Sequence, residues 1–152
     1  MSLSGDVCLP HNMKWFLVIL LVTLLGVTFV SGLDEPWCRC GLFVSSRYSE
    51  IMVYEMPEIP IVSCTEHDIC RGMCRNELCE YTDDLNLWAM VGNETVGQYV
   101  CTGLYGNYYY FIHNRYVHAY YELCGGPWEY ADLTSQQMLC CNRGEHEHCI
   151  SK

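Results

Sequence analysis

Read for its hydrophobic and polar positions, the chain opens on a polar or mixed stretch followed by Trp15 to Val30, an uninterrupted run without charge. The run spans sixteen residues, short of the roughly 20 that a spanning helix needs, and it ends in Val30-Ser31-Gly32 ahead of Asp34 and Glu35. Lys14 is the only Lys or Arg before Arg39. This pattern predicts a signal peptide over residues 1–32, cleaved after Gly32, and a single domain over 33–152. Read instead as an uncleaved signal-anchor, the same run would still place the rest of the chain outside the cytoplasm. Met13 is an alternative start.

The remaining pattern predicts short elements of both kinds, so the expected fold is a small disulfide-rich α+β domain. "YSEIMVYEM", rich in β-branched and aromatic residues, suits a strand before the breakers Pro57 and Pro60. Ser63 with Glu66 three residues on makes a capping box, which predicts a helix over 64–72 with Gly72 as its stop. Thr82 with Asp83 and Asp84 predicts a second helix start, and Leu85, Trp88 and Val91 at helical spacing before Gly92 extend it over 83–91. "ADLTSQQMLCC" predicts a last helix over 134–141, capped by Asp132 or Thr134. The aromatic segment 99–123 reads two ways. Ile112, Tyr116, Ala119 and Leu123 share a helical face, whereas the Tyr and Val content, with His113-Asn114 as a turn, favours a hairpin.

Composition narrows the setting. Of the twelve cysteines, Cys8 leaves with the signal, and the rest are Cys38, Cys40, Cys64, Cys70, Cys74, Cys79, Cys101, Cys124, Cys140, Cys141 and Cys149. Such density in an exported chain predicts disulfides, and an odd count predicts one thiol that is free or shared, as in a disulfide-linked dimer. The formal net charge of −10 argues against nucleic-acid binding and against attraction to anionic membranes, while leaving room for Ca2+ or a cationic partner. Asn93-Glu94-Thr95 is a glycosylation sequon, so Asn93 is a predicted glycan site of a secreted glycoprotein.

The stretch with the sharpest candidate chemistry is "CTEHDIC", Cys64 to Cys70. On a helix His67, Cys70 and Cys74 share a face, so the two cysteines would bolt the helix to its neighbours and fix the imidazole. Asp68 lies about 100° around from His67 and cannot orient it. "CTEHDIC" resembles the C-x-x-H-D-x-C helix signature of secreted phospholipase A2 enzymes, closest to the bacterial-type and conodipine-type branch because a single cysteine opens the motif. The resemblance covers about Cys64 to Met90. It implies His67 as the general base that activates water, Asp68 as a Ca2+ ligand, and an aspartate on an antiparallel second helix, matched by Asp84, as the group that orients His67. Ca2+ would polarise an ester carbonyl while a near-neutral imidazole takes the proton from water.

The geometry of that site turns on Gly72. A first helix running unbroken to Cys79 puts Asp84 roughly 18 Å from His67, and a helix ended by Gly72 brings the two level. The sequence departs from the family in lacking its glycine-rich Ca2+ loop, since "CGLFVSS" has one glycine, and in carrying Arg71-Gly72 where a tyrosine is usual. "EHEHC" near the end has metal-ligand residue types but reads as a solvated tail. Two functions remain open: a Ca2+-dependent phospholipase A2-like ester hydrolase acting on phospholipid, or a non-catalytic, cysteine-rich extracellular binding protein or toxin-like factor that meets an extracellular protein through its aromatic surface.

Overall fold

A computed structural model describes residues 35–46 and 49–150, and these fall, apart from Glu35, in the second of two units, Met1–Glu35 and Pro36–Lys152. The signal-peptide reading of 1–32, its cleavage point and Cys8 lie outside the described residues.

Strand β1 (Trp37–Ser45) is the spine. Its alternate residues Cys38, Cys40, Leu42 and Val44 are buried, as a strand with one face on a core requires. It is flanked by β2 (Glu50–Glu55), the two-residue β3 (Ile59–Pro60) and, across the sequence, β7 (Val117–Leu123), all antiparallel; β8 (Glu129–Thr134) adds to β7. In β7 Val117, Ala119, Tyr121 and Leu123 point inward, and Cys40 lies opposite Tyr121. The reverse face of this sheet carries Phe43 against Tyr120 and Trp128, with ring centroids at 4.8 and 5.1 Å.

Helix α1 (His67–Thr82) packs on β1, β7 and β8. It begins later than predicted and runs through Gly72 rather than stopping there. Ser63 closes a turn instead of capping the helix: its Oγ accepts from Thr65 N at 3.3 Å, its carbonyl accepts from Glu66 N at 3.3 Å, and Cys64 is tied to Cys124. Beyond Gly72 the helix is sustained by the buried stripe Cys70, Cys74, Leu78 and Thr82 at i, i+4 spacing. Nothing stands within 4 Å of where a Gly72 Cβ would be. Gly72→Ala should therefore raise stability by about 0.5–1 kcal/mol, the helix-propensity difference, read as a shift in urea midpoint at unchanged slope.

The predicted helix at 83–91 is absent. Asp83 caps α1 in the left-handed conformation, and Asp84 and Leu85 continue it with φ of 57° and 54°. Tertiary bonds outweigh local propensity here. Thr82 Oγ1 accepts from Leu85 N at 2.9 Å, Gln136 Nε2 donates to the carbonyls of Asp83 and Asp84, and Leu85 and Leu87 are wholly buried. The chain then forms a small hairpin, β4 (Met90–Val91) and β5 (Glu94–Thr95), with Gly92 at positive φ in its two-residue turn.

Helix α2 (Val96–Gly106) comes next without a break, capped by the Thr95 hydroxyl, which accepts from Gln98 N at 3.1 Å. The aromatic segment is thus part helix. Its remainder forms two strands that do not pair with each other: β6 (Phe111–Arg115) joins β9 (Leu139–Asn142) and β10 (Glu145–His146) in a three-stranded sheet, while β7 belongs to the first. Asn114, at φ 52°, sits near the end of β6, just before the chain passes from one sheet to the other. The predicted helix at 134–141 is also replaced, by the end of β8, a turn and β9. Cys141 bonds back to Cys101 while Cys140 bonds to Cys149, and neighbours that face opposite ways are a strand property.

Five disulfides join described residues: the three just named, and Cys38–Cys70 and Cys40–Cys74 between β1 and α1. Cys79 is disulfide-bonded too, so no described cysteine is free. This is the small disulfide-rich α+β fold expected, and its bridge density is typical of extracellular proteins.

Candidate functional site

His67 is the first residue of α1, and the rungs Cys38–Cys70 and Cys40–Cys74 hold that end of the helix against the sheet. Its imidazole is half exposed and lies over β7 and β8. Nδ1 stands 3.4 Å from Tyr121 Oη and 3.4 Å from Glu129 Oε1, longer than strong hydrogen bonds. Tyr121 Oη in turn donates to Glu129 Oε2 at 2.6 Å. Burial above all, and then the bond to Glu129, push the Tyr121 hydroxyl pKa up, which keeps it protonated as the donor.

Arg71, one turn along α1, completes the group. Its guanidinium lies 5.8 Å over the Tyr121 ring, and its Nη1 is 3.8 Å from Asp132 and 3.5 Å from Asp68. Tyr121 is thus wedged between a carboxylate at its hydroxyl and a cation at its face. An imidazole beside a carboxylate is the arrangement by which a general base is oriented. Nδ1 is the nitrogen turned to Glu129 and Tyr121.

The residues predicted for this site are only partly brought together. Asp68 is adjacent to His67 but its side chain is 94% exposed, and the charge nearest it is the Arg71 cation. Asp84 lies beyond the C-terminal end of α1, whose sixteen residues span about 24 Å, so it does not reach His67. The unbroken helix is the arrangement under which the sequence itself forbids that pair. Asn93 is exposed in the turn of the β4–β5 hairpin, while Thr95 of the same sequon caps α2. Among the described residues, the one cluster of three metal-ligand side chains is Cys38, Cys70 and Cys74, whose sulfurs are in disulfides. "EHEHC" is not a free tail: His146 stacks on Trp88 at 4.1 Å, His148 lies tilted against the same side chain at 4.3 Å, and Cys149 is bridged.

Sequence reading missed Glu129, Tyr121 and Arg71 as neighbours of His67. The alternation in "VHAYYEL" is the one local signal, since it turns Tyr121 inward with Val117, Ala119 and Leu123. No protein-family model, curated protein or solved structure matches the chain.

Proposed function

We propose that this is a secreted, disulfide-stapled binding protein that meets an extracellular protein through an exposed aromatic ridge. The observation that carries the reading is the run from the end of α2 to β6: Tyr105, Tyr108, Tyr109, Tyr110 and Phe111 are all exposed, Tyr108 at 80% and Phe111 at 58%. Aromatic residues that close together on a surface, each with apolar area and four with a hydroxyl, are the composition of a recognition face. Tyr105 and Tyr110 meet edge to face at 5.4 Å, so part of the ridge is held in shape before any partner arrives.

The test is binding of fluorescently labelled protein to intact cells by flow cytometry. Replacing Tyr108, Tyr109 and Phe111 together by alanine should weaken saturable binding by about ten-fold or more while leaving the unfolding transition in place. Undiminished binding by the folded variant removes the ridge from the function.

A second reading is favoured by the carboxylate beside His67. In a Ca2+-dependent ester hydrolase, Glu129 would take the orienting role that the resemblance gave to Asp84, with His67 as base and Asp68 as the metal ligand. Fatty-acid release from phospholipid vesicles that is abolished by chelator, by His67→Gln and by Glu129→Gln, but not by Asp84→Asn, would support it. No release at all leaves His67 as a structural residue.

A further inference from the structure

An open depression lies between α2, β2 and the β4–β5 hairpin. It offers a volume of about 500 Å³, open to solvent and within the size range of small-ligand sites. Val53 of β2 and Val91 of β4 supply aliphatic walls, and Tyr99, Thr102 and Gly103 of α2 form one side at i, i+3, i+4 spacing. Glu94 is the one charged residue lining it. Among the described residues that carboxylate enters no ion pair.

We propose that this depression binds an organic cation, an alkylated ammonium group whose charge is met by Glu94 and the Tyr99 ring and whose carbons lie on Val53 and Val91. The inference rests on the reading of the chain as a binding protein but uses a different surface from the ridge. Tyr99 and Tyr54 meet at 86° with centroids 5.7 Å apart, so the two rings form a fixed corner at the depression's edge. The negative face of an aromatic ring attracts ammonium groups, most strongly where the cation is weakly hydrated, as alkylation makes it. Burial above all raises the Tyr54 pKa, which keeps its hydroxyl neutral.

Two features select this ligand class over others. A divalent metal would want six or more oxygens, and the lining offers one carboxylate with the Asn93 amide and the Thr102 and Tyr99 hydroxyls beside the aliphatic carbons of Val53 and Val91. An anion would face Glu94 and a chain of net charge −10. Gly103 contributes by what it lacks: a Cβ there would come no closer than 3.5 Å to Val53 O, so the position tolerates a methyl, and a long side chain in its place would fill the cavity.

Choline and its neutral carbon isostere, dimethylbutanol, provide the test, titrated into the oxidised protein and followed by NMR shifts of the Tyr99 and Val91 signals. Choline should saturate at millimolar concentration, and the isostere should bind about ten-fold more weakly. Glu94→Gln, which keeps the sequon, should weaken choline binding by about five-fold or more and leave the isostere unchanged. Filling the cavity by Gly103→Leu should abolish both. Equal binding of the two probes, indifference of choline to Glu94→Gln, or the absence of saturable shifts each overturns the proposal. The alanine variant of Tyr108, Tyr109 and Phe111 separates it from the ridge: choline binding that survives there while cell binding is lost shows two surfaces. Cell binding without choline binding sinks the cation site alone.

Discussion

Removing both rungs between β1 and α1, Cys38–Cys70 and Cys40–Cys74, will cost about 6 kcal/mol, more than twice the cost of removing either one. The reason lies in how the two rungs share a loop. The first to close ties residues 32 or 34 apart in sequence, which constrains the unfolded chain by about 3.7 kcal/mol. With one closed, the other closes a ring of only about six residues, two on the strand and four on the helix, worth about 2 kcal/mol. Paired cysteine-to-alanine variants, unfolded in guanidinium without reductant, therefore show single losses of about 2 kcal/mol and a double loss that exceeds their sum by about 1.7 kcal/mol. Additive losses would mean that each bridge acts through its native contacts rather than through the unfolded chain.

The same ladder shows what could be read from the sequence. Cysteines two apart on a strand are separated by about 6.8 Å, and cysteines four apart on a helix by about 6.0 Å, so "CRC" and "CRGMC" are spaced to match rung for rung. The face shared by His67, Cys70 and Cys74 was legible from their helical spacing, and so was the bridged, mixed α and β character of the domain. The length of α1 was not. Gly72 looks like a stop because glycine is a poor helix former, and the cost of about 1 kcal/mol is outweighed by the buried contacts that lie further along the stripe.

The left-handed turn at Asp83, Asp84 and Leu85 was invisible for a different reason. Thr-Asp-Asp followed by Leu85, Trp88 and Val91 satisfies every local rule for a helix start, yet the partners that refuse it are far along the chain. Gln136 and Gln137 hold the carbonyl and amide groups of residues 83–87. Glu129 was hidden likewise: β8 is two strands from β1, and no periodicity near His67 announces that a glutamate will arrive beside it. A short motif names residues close in sequence, whereas the group that orients an imidazole comes from wherever the sheet brings it.

Gly97→Ala should be strongly destabilising, opposite in sign to Gly72→Ala. A Cβ at 97 would fall well inside van der Waals contact with three ring atoms of His146. The ring has little freedom to move, since it stacks on Trp88 at 4.1 Å and its backbone N donates to Gln98 Oε1 at 3.0 Å. Overpacking of this kind costs about 1–3 kcal/mol even after the gain in helix propensity, and removing the ring by His146→Ala in the same chain should restore most of the loss. Acid provides an independent reading. Burial first, and His148 second, lower the His146 pKa below its ordinary 6.5, so the folded state resists a proton that the unfolded chain accepts. Stability from the neutral ring is therefore complete above about pH 6.5 and falls as the pH drops through that value. Burial lowers the His118 pKa as well, so two histidines contribute to the slope. In Gly97→Ala, with His146 displaced into water, the slope between pH 7 and 5 should shrink by up to about 1.4 kcal/mol per pH unit while the His118 part persists. An unchanged slope in a destabilised variant would show that His146 stays neutral and buried, and that α2 rather than the imidazole has given way.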